Sequence, residues 1–425
     1  MKDRILLCKP KMCGRELDFI KPALDEDWAV PMGPDVNAFE KELGAVIGAD
    51  NVVAVESGTS AIHLALILCG VQPGDEVIVQ SMTFCASTNP IAYIGATPVF
   101  VDSEKESWNT DPNLLEEAIK DRISKTGKKP KAIIPVALYG MPYQIERIME
   151  IANRYDIPVI EDAAEGFCSR YKGKVLGTFG RFGILSFNGN KMITTSGGGA
   201  LICPDKEIAD KAKWYATQAR EGYPYYQHEV VGYNYRLSNI SACIGRAQLT
   251  VLDEHLAHHK HVQELYCELL KEVKGITMHT NPAPEYDSNF WLCTATLDPD
   301  LKIKGQENAY KQIVTGAVGG AAGVIHAAST ATTDCQPNDN VEALRVCLDK
   351  ANIEARPLWK PMHRQPVYRN APAYVNGVSE ALFKVGICLP AGPYVSDDDV
   401  RYIVDTIKSL SLIHISEPTR RSYIS

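Results

Sequence analysis

Lys191 stands in Ser186-Phe187-Asn188-Gly189-Asn190-Lys191, with the glycine run Gly197-Gly198-Gly199 behind it. Upstream, Glu161-Asp162-Ala163-Ala164-Glu165 closes an apolar run. A primary amine can form a Schiff base with an aldehyde, and a carboxylate in an apolar setting can keep a heteroaromatic nitrogen protonated. Pyridoxal 5′-phosphate makes both demands at once. The pairing predicts an enzyme in which Lys191 binds the aldehyde and later moves a proton, while Asp162 holds the ring nitrogen. An aspartate closing the 158–161 run costs free energy on burial unless it meets a cation or several donors. Its simpler alternative is the cap of a helix starting at Ala163.

The remaining needs of such a cofactor have candidates. Ser57-Gly58-Thr59-Ser60 lies between an apolar run and a helical pattern, where N–H groups of a helix start can bind a phosphate. Gly58 would permit close approach, and the Thr59 and Ser60 hydroxyls would add donors; an ordinary N-cap is the competing reading. Thr83-Phe84 follows a strand-like run, so Phe84 could cover a ring face, although an isolated Phe is more often core. Met192 after the lysine breaks the P-loop frame, and no Gly-x-Gly-x-x-Gly opens the first βαβ unit. His255 and His259 are four apart on a predicted helix, near His258 and His261. Without a zincin frame or a second ligand set they predict a solvated helix face and no metal site.

The elements that must position these groups follow from periodicity. Short apolar runs at 51–55, 76–80, 97–101, 131–138, 158–160 and 184–187 alternate with helical patterns at 61–69, 87–93 and 144–155. That alternation predicts parallel βαβ units in a three-layer α/β domain. Ser57–Ser60, Tyr139-Gly140 and Asp162 then fall at carboxyl ends of strands, where such sheets bind ligands. Beyond residue 205 longer helical patterns take over (207–220, 240–274 and 398–410), and the chain from 289 reads as a smaller α+β domain. The chain has 425 residues, enough for two domains. A net charge of −8 argues against non-specific nucleic-acid binding. No apolar run reaches membrane-span length, which predicts a cytoplasmic protein. The 12 cysteines form no Cys-x-x-Cys pair and suit a reducing compartment.

In this order, the motifs resemble the DegT/DnrJ/EryC1/StrS family of sugar-nucleotide aminotransferases. The matching pieces are Glu56-Ser57-Gly58-Thr59-Ser60-Ala61-Ile62-His63, Thr83-Phe84, the 161–165 and 186–191 segments with Gly197–Gly199, Gly232-Tyr233-Asn234-Tyr235-Arg236-Leu237, and Arg356-Pro357-Leu358-Trp359-Lys360-Pro361-Met362-His363. The resemblance spans about 13–410. It implies fold type I, with a large cofactor domain (13–250) and a small C-terminal domain (251–410) that carries an insertion near 301–340. It further implies a homodimer with shared sites. By motif Lys191 resembles the Schiff-base lysine and Asp162 the pyridinium partner. Glu165 matches a position near the phenolic oxygen, and Phe84 the stacking aromatic. Gly58, Thr59 and Ser186 match phosphate contacts, and Asn234 the contact made from the other subunit. Arg236 would only brace its loop, and Trp359, Lys360 and His363 match the sugar-nucleotide region.

The resemblance also implies the reaction. L-Glutamate would load the amino group, carried as pyridoxamine 5′-phosphate, and a nucleotide-linked 4-keto-6-deoxy sugar would receive it. The 188–199 and 356–363 segments look most like enzymes that aminate C4 of UDP-4-keto-6-deoxy-N-acetylglucosamine for surface glycans. Sugar 3-dehydratases of this fold carry His at the lysine position, so Lys191 favours transamination over dehydration. Amination at C3 and a non-catalytic, ligand-binding regulator are the alternatives. The segment 411–425 has neither period nor cap and is expected to be a disordered or non-native tail.

Overall fold

The computed structural model describes residues 3–299, 301–303, 335–410 and 412–414. Helices α1 (Glu16–Asp25) and α2 (Pro34–Ile47) precede strand β1 (Val52–Val55), after which strands and helices alternate. The order is α3 (Gly58–Leu68), β2 (Glu76–Gln80), α4 (Asn89–Tyr93), β3 (Thr97–Val101), α5 (Pro112–Thr126), β4 (Ala132–Ile134), α6 (Ile145–Arg154) and β5 (Ile160–Asp162). A small hairpin, β6 (Arg170–Tyr171) and β7 (Lys174–Val175), leads to β8 (Phe182–Ser186), β9 (Gly199–Ile202) and α7 (Lys206–Ala216). Strands β1, β9, β8 and β5 are neighbours, as are β4, β2 and β3. Parallel bridges Ile133↔Val159 and Val136↔Asp162 join the two sets into one sheet.

Both faces of this sheet are covered, which is why its strands read as apolar runs without alternation. Val52 and Ala54 face one core with α2, α5 and α6, whereas Val53 and Val55 face another with α3 and α7. One expectation needs correction: the sheet is not wholly parallel. Strand β9 runs antiparallel to both β8 and β1. The 187–198 connection that carries Lys191 returns directly, without the helical crossover that a parallel strand requires.

The predicted helix over 240–274 is divided. α8 (Asn239–Leu249) is closed by Thr250, and α9 (Leu252–Leu270) begins two residues after that cap. Leu252 of α9 belongs to the large core, whereas Val262, Leu265, Tyr266 and Leu270 belong to a separate core. This second core is built with β10 (Ile276–Met278) and, after the short β11 (Tyr286–Asp287), with β12 (Cys293–Leu297). Strand β13 (Leu301–Ile303) and helix α10 (Asp339–Lys350) follow, then β14 (Arg356–Pro357), β15 (Ala373–Tyr374), α11 (Val378–Val385), β16 (Gly386–Leu389), α12 (Asp397–Lys408) and β17 (Leu412–His414). Strands β10, β12, β16 and β14 form an antiparallel sheet, as expected of a smaller α+β unit.

The division near 250 is not a clean cut in space. Strand β15 pairs in parallel with β3 of the large sheet, and Met362 and Tyr368 join the large core. In return Ile5 packs in the small core and bridges to Ile353. Most of the expected 301–340 insertion lies outside the described residues. Of the expected tail, β17 pairs with β13, and 415–425 lies outside the described residues.

Candidate active site

The phosphate end is built by close backbone packing. Ser57 caps α3, its Oγ accepting from Ser60 N at 3.0 Å. A Cβ on Gly58 would sit 3.2 Å from Ser186 Cβ, so the end of β8 presses against the first turn of α3. A Cβ on Gly199 would fall 2.4 Å from Gly58 N, closer than any real contact, so β9 also requires a glycine there. Free N–H groups of the first helical turn, with the Ser186 hydroxyl beside them, form a donor cradle that suits a phosphate. Thr59 lies half-buried in this turn. Ser60 differs from expectation: its hydroxyl donates to Glu56 Oε1 at 3.1 Å and lies buried, serving the helix end.

Asp162 ends β5, buried, with Oδ2 accepting from Ser87 Oγ at 2.6 Å and Oδ1 from Ala164 N at 3.1 Å. Thr83 Oγ1 lies 2.6 Å from the same Ser87 hydroxyl, which ties the segment bearing Phe84 to the carboxylate. Burial raises the Asp162 carboxyl above its ordinary range, while Ser87, Ala164 and Lys191 oppose the shift. A cation at this position would relieve the burial cost, which is what a protonated ring nitrogen supplies. No helix begins at Ala163, so the cap reading fails: Asp162 Oδ1 takes Ala164 N across a turn, and its carboxylate lies within the electrostatic reach of Lys191.

Lys191 Nζ lies 3.9 Å from Glu165 Oε1 and 4.0 Å over the centre of the Trp291 ring. Only 12% of its side chain is exposed, and burial lowers its pKa against the attraction of Glu165 and Asp162. A lowered pKa leaves more of the amine unprotonated, the form that attacks an aldehyde. Glu165 is pushed up to about 7 by burial, partly offset by Lys191 and by the Tyr139 N–H donated to Oε2 at 2.6 Å. Tyr139 holds that N–H in place from a left-handed backbone (φ 54°), a costly conformation for a bulky residue. The donor set of cradle, buried carboxylate and buried amine fits pyridoxal phosphate.

A cavity of about 920 Å³ opens beside this centre, lined among others by Thr83, Phe84, Asn190, Trp291, Trp359 and Lys360. Phe84 is half-exposed at its wall, edge-on to Trp359 with ring centres 4.8 Å apart. Trp359 N donates to Tyr139 Oη at 2.8 Å, which joins the C-terminal segment to the cofactor side. His363 is placed differently from its neighbours. Its Nδ1 lies 2.6 Å from Ser81 Oγ and its Nε2 3.2 Å from Glu380 Oε1, so it pins α11 to the end of β2 and does not line the cavity.

Asn234 is exposed and is not among the residues around the cavity. Arg236 braces its loop, as expected: its guanidinium pairs with buried Glu40 and donates to Ala54 O. The histidine cluster requires correction. His255 and His259 are buried against the core, not solvated. Among the described residues no three His, Cys, Asp or Glu side chains converge as metal ligands would, and all 12 cysteines are free. Sequence reasoning missed Ser87 and Trp291. Ser87 reads as a helix start and Trp291 as one more apolar residue, and neither carries a spacing that marks it.

The model of the DegT/DnrJ/EryC1/StrS aminotransferase family matches residues 11–312 and 306–408. EpsN of Bacillus subtilis (strain 168), which carries the name of a pyridoxal phosphate-dependent aminotransferase, is 43% identical over 98% of each chain. GDP-perosamine synthase of Escherichia coli O157:H7 is 33% identical over 94% of this chain and 96% of its own. The crystal structure of a DegT DnrJ EryC1 StrS aminotransferase from Brucella abortus superimposes with a TM-score of 0.79 at 28% identity, covering 93% of this chain and 95% of that one. The architecture is fold type I. No helix among the described residues is long and apolar enough to cross a membrane. The chain belongs to the DegT/DnrJ/EryC1/StrS aminotransferase family and is a pyridoxal phosphate-dependent transaminase.

Proposed function

We propose that this enzyme moves an amino group from L-glutamate to C4 of a nucleotide-linked 4-keto-6-deoxy sugar, UDP-4-keto-6-deoxy-N-acetylglucosamine, for surface glycan synthesis. The observation that carries the reading is the buried Lys191 amine, flanked by Glu165 and lying over the ring of Trp291, which lines the cavity together with Trp359 and Lys360. When bound, the cofactor supplies an electron sink and a temporary carrier for the amino group. Asp162 would hold its ring nitrogen, Phe84 would cover the ring, Glu165 would face the phenolic oxygen, and Gly58, Thr59 and Ser186 would take the phosphate. Lys191, freed once substrate is bound, moves a proton at the substrate carbon. Trp359 and Lys360 offer a stacking face and a cation to the sugar nucleotide. The 188–199 and 356–363 segments support UDP and C4 by their likeness to enzymes with that activity.

We also propose a homodimer in which Asn234 reaches the partner's phosphate. Asn234 follows an exposed stretch that includes Tyr223, Tyr225, Tyr226 and Val231, a large apolar surface for a lone chain. Mixing inactive Lys191→Ala with inactive Asn234→Ala should regenerate one intact site per mixed dimer, and no regain of activity would refute the sharing.

The first test is absorbance. The purified protein should show a band near ~410–430 nm that moves toward ~330 nm with excess L-glutamate, as lysine Schiff-base chemistry requires. Lys191→Ala should lack the band and lose several orders of magnitude in kcat/KM. Full activity in that variant would point to dehydration. Comparing kcat/KM for UDP-, GDP- and dTDP-linked keto sugars then decides the nucleotide.

A further inference from the structure

Lys191 acts from a loop, so its amine is placed only as well as the loop backbone is held. The carbonyls on either side of it are both held from outside. Asn190 O accepts from Trp291 Nε1 at 2.6 Å, and Met192 O faces His255 Nδ1 at 3.3 Å. One helical turn further along α9, His259 Nδ1 lies 3.2 Å from the carbonyl of Phe290, the residue before Trp291. A carbonyl oxygen can only accept, so both histidines carry their proton on Nδ1. Their four-residue spacing puts them on one face of α9, the helix that spans the two cores.

Two further details argue that these contacts do more than fill space. His259 Nε2 is buried without a hydrogen-bond partner among the described residues, a desolvation cost that a leucine would avoid. Phe290 holds a left-handed backbone (φ 48°), which a bulky side chain resists. Its N–H donates to Ser288 Oγ at 3.0 Å, and Trp291 N donates to Asn289 Oδ1 at 2.8 Å. The strained turn is thus fixed on three sides, and it delivers the Trp291 ring to 4.0 Å beneath Lys191 Nζ.

We propose that His255, His259 and the Trp291 indole form a three-donor clamp that positions the Lys191 amine. The inference rests on Lys191 being the reacting amine. The two histidines and the indole N–H act through peptide carbonyls, and in that role they are positioning residues; the Trp291 ring, which lies under the amine, is kept as a ring in Trp291→Phe. Burial lowers both histidines, His259 to about 3, which keeps the rings neutral and their Nδ1 donors in place at neutral pH.

The test uses the full chain stripped of cofactor and two probes: pyridoxal 5′-phosphate, which the amine captures, and pyridoxine 5′-phosphate, which binds but lacks the aldehyde. His259→Leu removes one donor, Trp291→Phe keeps a ring but loses the N–H, and His259→Asn retains a donor near the Nδ1 position. His259→Leu and Trp291→Phe should capture the aldehyde about 10- to 100-fold more slowly, the penalty of a misplacement on the order of 1 Å. Their affinity for pyridoxine phosphate should stay within about twofold of the parent, and His259→Asn should recover most of the rate. Parental capture rates in Trp291→Phe and His259→Leu would overturn the clamp. Equal losses with both probes would also overturn it, since they would mean a deformed pocket and not a misplaced amine. If His259→Leu does not fold, Trp291→Phe and His259→Asn decide alone. A parent protein that binds pyridoxine phosphate yet never captures the aldehyde would sink the Lys191 reading itself.

Discussion

Replacing Gly199 by alanine should damage the phosphate cradle while leaving the rest of the sheet in place. The added Cβ would lie 2.4 Å from Gly58 N and 2.4 Å from the Ser57 carbonyl carbon. Ordinary contact needs about 3.4 Å or more, so strand and helix start must part by roughly 1 Å. Overpacking of that size costs about 1–3 kcal/mol, which in a domain of this size lowers the melting temperature by roughly 2–4 °C per kcal/mol. The larger consequence is functional. The N–H groups that move are the ones proposed to hold the phosphate, and a misplacement near 1 Å can cost about 100-fold. Gly197→Ala is the internal control, because a Cβ there meets nothing within 4 Å. Pyridoxine 5′-phosphate affinity, measured by fluorescence titration, should fall sharply in Gly199→Ala and hold in Gly197→Ala. Equal affinities in the two variants would refute the cradle.

Other expectations follow from the same packing. Ser87→Ala removes one of two donors from buried Asp162, a loss of about 1.5–3 kcal/mol for a charged acceptor, and should weaken ring binding more than it lowers the melting temperature. Arg236→Met strands buried Glu40 with only Lys213 as counter-charge and should destabilise by about 3 kcal/mol in urea melts. His259 sits below its unfolded value of 6.5, at about 3, so the unfolded chain takes up a proton that the folded chain refuses. Its stabilising contribution is complete above pH 6.5 and is lost as pH falls toward 3. His259→Asn should therefore flatten the acid limb of the stability curve by a few kcal/mol, and an unchanged limb would count against the buried neutral ring.

The chemical centre was legible in the sequence because its groups are local and chemically loud. A lysine before a glycine run and an aspartate closing an apolar run announce themselves, and the structure brings Lys191, Asp162 and Glu165 within reach of one another. Strands 76–80 and 97–101 were equally legible, since burial on both faces leaves an unbroken apolar run. What could not be read depends on tertiary pairing. The antiparallel course of Gly199–Ile202 is set by a return loop, not by residue pattern. Ser87 and Trp291 act on partners far along the chain. His255 and His259 read as solvated because a polar residue every four positions resembles a wet helix face, yet both are buried, each with its Nδ1 against a backbone carbonyl. His363 and Ser60 matched a motif but spend their polar atoms on neighbouring protein.

The two-residue strand Ala373–Tyr374 has a consequence for biosynthesis. It closes the edge of the large sheet beside Thr97–Val101, with Phe100 N donating to Pro372 O at 2.8 Å and Asp102 N to Tyr374 O at 3.0 Å. A nascent chain leaving the ribosome therefore cannot complete its first domain until most of the second has emerged. Until then the β3 edge presents unpaired donors and acceptors to any passing strand, an invitation to aggregate. An isolated 1–250 fragment should on this account be poorly soluble, however complete its cofactor motifs, and the two halves are best regarded as one cooperative folding unit.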